Sequence, residues 1–149
     1  MITKYNVDEL VPHSGKMSLL SSIVEYGEGW LHAEVQITSE STFAGDGGVP
    51  SWIGLEYMAQ AISAYAGLQQ RLNGGTPKIG FLLGSRKYLC NTDYFVLNQT
   101  LLVKVHLEML AENGLEAFNC ELQGEGVNAS AVVNVYQPED AEKFLRNTI

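Results

Sequence analysis

An α+β domain, with an antiparallel sheet wrapped around one long central helix, is the fold class this sequence predicts, and three observations predict it. The stretch Val49–Leu72 is apolar on nearly every side, as a buried helix would be. Several runs elsewhere alternate apolar and polar residues at the strand period of two. Gly- and Asn-containing turns separate those runs, where antiparallel neighbours need tight connections. With 149 residues, 46% of them hydrophobic, the chain can bury one proper core, and residues 1–149 read as a single domain.

Taken in order, the opening segment ends in Val11-Pro12-His13-Ser14-Gly15-Lys16-Met17, which Pro12 and Gly15 mark as an irregular loop. A first strand is expected over Ser18–Tyr26, then a hairpin turn at Gly27-Glu28-Gly29, then a second strand over Trp30–Thr38. In that second strand Leu31, Ala33, Val35 and Ile37 share one face, and His32, Glu34 and Gln36 the other. Ser39–Val49 contains Gly45-Asp46-Gly47-Gly48 and cannot be regular. The helix follows, with Pro50 suited to its first turn, Arg71 in its last, and a stop near Asn73-Gly74-Gly75. Lys78–Cys90 is a strand in which Gly80 and Gly84 suggest a bulge or a close approach to the helix. Thr100–Ala111 alternates, with Leu101, Val103, Val105, Leu107 and Met109 on the buried side. Asn113-Gly114 signals a two-residue hairpin into Leu115–Gln123, and Gly124-Glu125-Gly126 turns the chain into Asn128–Tyr136. A short tail follows Pro138, with room for a helical turn or two. The sum is one long helix and about five antiparallel strands.

The net charge of −8 argues against nucleic acid and anionic membrane surfaces as partners. No apolar run reaches the ~18–20 charge-free residues of a membrane span, because Glu56 interrupts the best one. The N-terminal MITKYNVDELVPH holds no apolar signal-peptide core. Cys90 and Cys120 lack C-x-x-C or metal-ligand spacing and read as ordinary buried thiols. The expectation is a soluble protein of a reducing compartment, the cytoplasm, with no membrane insertion. Arg71, Lys78, Arg86 and Lys87 cluster just after the helix, which suits either a solvated face or a docking patch for an acidic partner.

Glu56 is the sole charge from Trp52 to Ala66, and Gln60 and Ser63 join it at i+4 and i+7 on one stripe. A lone carboxylate on a buried helix marks a functional site or a wet rim. The three histidines share no ligand spacing, so no metal is expected. The Gly45–Gly48 run lacks the signature of a phosphate loop, so no nucleotide is expected either.

The segment Thr42-Phe43-Ala44-Gly45-Asp46-Gly47-Gly48-Val49-Pro50, continuing through Glu56 to Gln60, resembles a motif of the hot-dog fold 3-hydroxyacyl-[acyl-carrier-protein] dehydratases. That motif has the form H-F-x-G-D-P-x-x-P-G-x-x-x-[DE]-A-x-x-Q and enters the family's central helix. Phe43, Gly45, Asp46, Pro50, Glu56 and Gln60 fall in register with it. Pro12-His13 with Met17, Leu19 and Leu20 resembles the opening P-H-…-L-L segment of the same enzymes. The pattern looks closest to a divergent branch associated with aryl-polyene pigment synthesis in Gram-negative bacteria. Thr42 stands where the family has its catalytic histidine.

The resemblance implies a hot-dog fold that pairs into a homodimer, or a heterodimer with a related hot-dog subunit. It implies an acyl carrier protein as partner and no cofactor, phosphopantetheine entering as part of the substrate. Dehydration needs a base at C2, an acid at the departing C3 hydroxyl and a donor for the thioester oxygen. Glu56 matches the family's acid. The donor role falls to backbone N–H groups near Ser51 and Trp52, at the positive end of the helix dipole. The base must come from elsewhere than position 42. His32 and His106 alternate with apolar strand residues and should face outward, which leaves His13 in its loop. Thr42 could position substrate or water, and Gln60 with Ser63 could orient Glu56 or simply pack. Three readings compete: a dehydratase, a hot-dog thioesterase in which Glu56 activates water, and a non-catalytic subunit that completes a partner's site, which Thr42 favours.

Overall fold

Val7 and residues 18–72 and 81–136 are described by the structure, a computed structural model. The opening loop with His13, the helix stop at Asn73–Gly75, Lys78, Gly80 and the tail after Pro138 lie outside the described residues. Six strands form one antiparallel sheet: β1 (Ser22–Gly27), β2 (Trp30–Ile37), β4 (Phe81–Cys90), β6 (Gln99–Leu110), β7 (Leu115–Gly124) and β8 (Val127–Tyr136). Their spatial order is β1-β2-β6-β7-β8-β4. Two short segments, β3 (Val49–Pro50) and β5 (Tyr94–Phe95), pair as a separate ribbon.

The central helix, Gly54–Leu72, runs between β2 and β4, which belong to opposite halves of the sheet. Its 19 residues span ~28 Å, comparable to the ~24 Å across six strands. It packs on β2, β6, β7 and β8, which is the sheet wrapped on a helix that the sequence predicts. Alternation places the core. Ala33, Val103, Leu122 and Ala129 lie in one cross-strand row beneath the helix, all at most 1% exposed. Leu31, Val105, Cys120 and Ala131 form the next row.

Several expectations are corrected. β1 begins at Ser22, because Leu19 N–H goes to the Gln60 side chain and not to β2. Val49 and Pro50 are extended and pair with Phe95 and Tyr94, so the helix cannot start there; a 3-10 turn over Ser51–Ile53 follows and the α-helix begins at Gly54. Met109, an inward position by alternation, is 50% exposed, because the register shifts between Leu107 and Met109. The Asn113-Gly114 turn is a four-residue loop closed by Ala111 N–H on Leu115 O at 2.8 Å. Cys120 is buried, whereas Cys90 is only half-buried at the sheet edge. The bulge expected near Gly84 is present. Among the described residues no helix is long and apolar enough to cross a membrane.

Candidate active site

Three segments meet at the N-terminal end of the central helix. The first is Ser18–Ser21, held to β2 by Ser21 N–H on Glu34 O at 2.7 Å and by Gln36 N–H on Ser21 Oγ at 2.9 Å. The second is the irregular loop after β2. Ser41 cross-braces it, accepting from Thr38 N–H at 2.9 Å and donating to Gln36 O at 3.2 Å. The third is the helix itself. Between them lies a cleft of about 510 Å³ whose walls include Leu19, Leu20, Val35, Thr42 and Tyr57.

Gln60 ties these parts together. It is 0% exposed, and a side-chain amide buried that deeply needs its hydrogen bonds made. Its Oε1 accepts from Leu19 N–H at 2.8 Å, and its Nε2 donates to Glu56 Oε1 at 3.2 Å. The i, i+4 spacing read from the sequence thus places a half-buried carboxylate on a fixed amide, which itself anchors the cleft wall. Thr42 is half-buried on that cleft. Burial pushes the Tyr57 phenol up to about 12, so at neutral pH it keeps its proton.

The backbone donor needs a correction. In a 3-10 turn capped at Pro50 the first two N–H groups lack acceptors within the turn, and Pro50 brings no side-chain cap. Ser51 N–H is taken by Asp93 O at 2.9 Å, a bond that extends the β3–β5 pairing. Trp52 N–H is the other of these two groups, with no acceptor within the turn. Trp52, in the 3-10 turn, and Glu56, in the first turn of the α-helix, are four residues apart. Trp52 is 66% exposed and lies beside Phe43, ring centroids 6.2 Å apart; Phe43 holds a left-handed φ of 72°, which throws its ring outward.

The remaining assigned residues fall elsewhere. His32 lies beside Glu25, Nδ1 to Oε1 3.4 Å, and His106 is exposed near Glu108. Burial, then Lys104, hold His32 below its ordinary pKa. Both histidines project from the sheet face opposite the helix, as their alternation predicts. Arg71 and the Arg86–Lys87 pair lie toward opposite ends of the helix. Arg86 and Lys87 precede Tyr88, whose hydroxyl reaches Ser51 at the helix start, while Arg71 sits in the last turn, ~22 Å along the axis from Glu56.

Sequence reading missed Asp93 and Tyr88. Asp93 belongs to a segment too short for periodicity to show, and Tyr88 turns toward the helix only because the register shifts between Arg86 and Leu89.

Residues 5–146 match the ApeP dehydratase family. A search of curated proteins finds no match. Among solved structures, the dehydratase heterocomplex ApeI:P from Xenorhabdus doucetiae is similar at TM-score 0.86 and 25% identity, covering 98% of this chain and 99% of that one. The E. coli PaaI protein from the phenylacetic acid degradation operon aligns at TM-score 0.59 and 11% identity, over 76% of this chain and 80% of that one. A variant of the thioesterase SAV0944 from Staphylococcus aureus aligns at TM-score 0.59 and 12% identity, over 78% of this chain and 92% of that one. The last two likenesses concern the fold alone, which is the hot-dog fold.

Proposed function

The chain belongs to the ApeP dehydratase family, and on that premise we propose that it dehydrates 3-hydroxyacyl thioesters carried on an acyl carrier protein to the 2-enoyl thioester, in aryl-polyene-type synthesis. The observation that carries this reading is the fixed line Leu19–Gln60–Glu56, whose Leu19 end lines the cleft, with Trp52 N–H four residues before Glu56 at the start of the helix. In the reaction the C2–H bond breaks first in the sense of charge: the base takes that proton, and the electrons move toward the thioester oxygen. Trp52 N–H faces that oxygen and stabilises the charge. The C3–O bond then breaks as Glu56 gives its proton to the hydroxyl, which leaves as water.

His13 is the proposed base. The other two histidines face away from the helix, and His13 lies six positions before Leu19, a reach of at most ~20 Å. Purified protein given a 3-hydroxyacyl thioester mimic should produce the absorbance of a conjugated enoyl thioester. Release of free thiol in its place would favour the thioesterase reading.

Thr42 supports a second reading, in which the chain is one half of a heterodimer and a related hot-dog subunit supplies the base. The similar ApeI:P structure is a dehydratase heterocomplex. Pairing has physical grounds in this chain. Among the described residues β1 and β4 are open sheet edges, and Leu55, Ala59, Ser63 and Ala66 form a half-buried stripe along the helix. Light scattering at micromolar concentration should therefore give a dimer, alone or with the related subunit. A fully active monomer would remove the pairing.

Arg86 and Lys87 are the proposed carrier docking residues; Arg71 lies farther off in the last turn of the helix, and Lys78 falls outside the described residues. Carrier proteins are acidic and this chain is acidic overall, so docking must use a local cationic patch. Reversing Arg86 and Lys87 to Glu should lower kcat/KM for carrier-bound substrate by ~10-fold while sparing a small thioester mimic. The Arg71→Glu variant should stay near wild type on both substrates. Equal losses on both would mean structural damage.

A further inference from the structure

We propose that Tyr88 is a positioning residue for the dehydration, acting through the peptide that joins Ser51 to Trp52. The Tyr88 hydroxyl donates a short hydrogen bond to Ser51 O. That carbonyl belongs to the same amide group as Trp52 N–H. The described chain has no cis peptide, so the C=O and N–H of this amide point in opposite directions. A donor fixed on the oxygen therefore sets where the N–H aims on the other side. It also draws electron density toward the oxygen and makes the N–H a stronger donor, as happens along any hydrogen-bonded amide chain. Gly54 N–H adds a second bond to the same oxygen.

The surroundings are built for this contact. An added Cβ on Gly54 would overlap the Tyr88 hydroxyl oxygen, so the missing side chain is what lets the phenol reach Ser51. Burial pushes the phenol well above its ordinary range, and the hydroxyl stays protonated as a donor. From the neighbouring residue the turn is held by Ser51 N–H on Asp93 O. The 3-10 turn is thus clamped at both faces by the chain running from β4 into β5, and only Trp52 N–H is left to point outward. This inference rests on the reading of Trp52 N–H as the thioester-oxygen donor.

The Tyr88→Phe variant tests it, since it keeps the ring and removes one oxygen. Two readouts are needed, taken on the protein in whichever assembly turns over. The first is the backbone ¹⁵N resonance of Trp52, which reports bonding at the preceding carbonyl and should shift upfield. The second is kinetics: kcat should fall on the order of 10-fold with KM within about 2-fold, because the lost interaction acts in the transition state. An unmoved Trp52 resonance overturns the proposal. So does a moved resonance with unchanged kcat, or a rise in KM at constant kcat. If the wild-type assembly dehydrates nothing, the functional reading fails first and the catalytic role of Tyr88 falls with it, while the resonance still decides whether Tyr88 holds the amide.

Discussion

Replacing Glu56 by Gln should lower turnover by ~100-fold or more while substrate binding is largely kept. The amide has nearly the same shape and still presents an oxygen to Gln60 Nε2, which now bonds Glu56 Oε1 at 3.2 Å. Gln60 keeps its hold on Leu19 N–H, so the cleft wall stays in place. What disappears is the proton that the departing hydroxyl needs. The His13→Ala variant should lose a similar factor, and the double variant should be little worse than either single one, because acid and base serve one elimination. Active His13→Ala with dead Glu56→Gln would mean that Glu56 works with water or with a partner's base. Steady-state kinetics on a thioester mimic, with binding measured separately, distinguish these results.

The Gly48→Ala substitution should be the most damaging single methyl in the loop that enters the site. Gly48 has φ of +109°, where a side chain is strained. The added Cβ would also overlap Phe95 O, a backbone atom that cannot swing aside. Together these effects should cost about 3 kcal/mol or more, a fall in Tm on the order of 10 °C. The pairing of Val49 with Phe95 would open with it, and so would the bond from Ser51 N–H to Asp93 O that follows in the chain. Gly45→Ala, three residues earlier, meets nothing within 4 Å and should change stability by less than ~0.5 kcal/mol. Thermal melts of the two variants side by side check the contrast; similar melts would mean that the loop rearranges freely around position 48.

The legible parts of this chain are those where a period repeats. Leu31, Ala33, Val35 and Ile37 sit at 2% exposure or less, as strict alternation requires. The spacing of Glu56 and Gln60 is legible for the same reason, since i and i+4 must meet on any helix. Features that depend on one residue of register are not legible. Met109 faces solvent and Tyr88 faces the helix because of bulges, and no pattern in the sequence marks where those fall. Val49 and Pro50 read as a helix start, since Pro favours that place, but two paired residues of β5 outweigh that preference. The cationic cluster misleads for a topological reason. Arg71, Arg86 and Lys87 are near in sequence, yet Arg71 lies in the last turn of the helix, whereas Arg86 and Lys87 lie just before Tyr88, whose hydroxyl reaches Ser51 at the helix start. The resemblance supplied Glu56 as acid; only the structure shows that Ser51 N–H is already engaged by Asp93 O, which leaves Trp52 N–H for the donor role proposed above.

Intact-mass spectrometry of the carrier protein after incubation tests the central claim most directly. A carrier loaded with a 3-hydroxyacyl chain is mixed with this protein, alone and together with a related hot-dog subunit whose own acidic residue has been replaced. The account predicts that the loaded carrier loses the mass of one water, and that Glu56→Gln in this chain abolishes the loss. A carrier returned to its free thiol, or one that keeps its full mass in both mixtures, would contradict it.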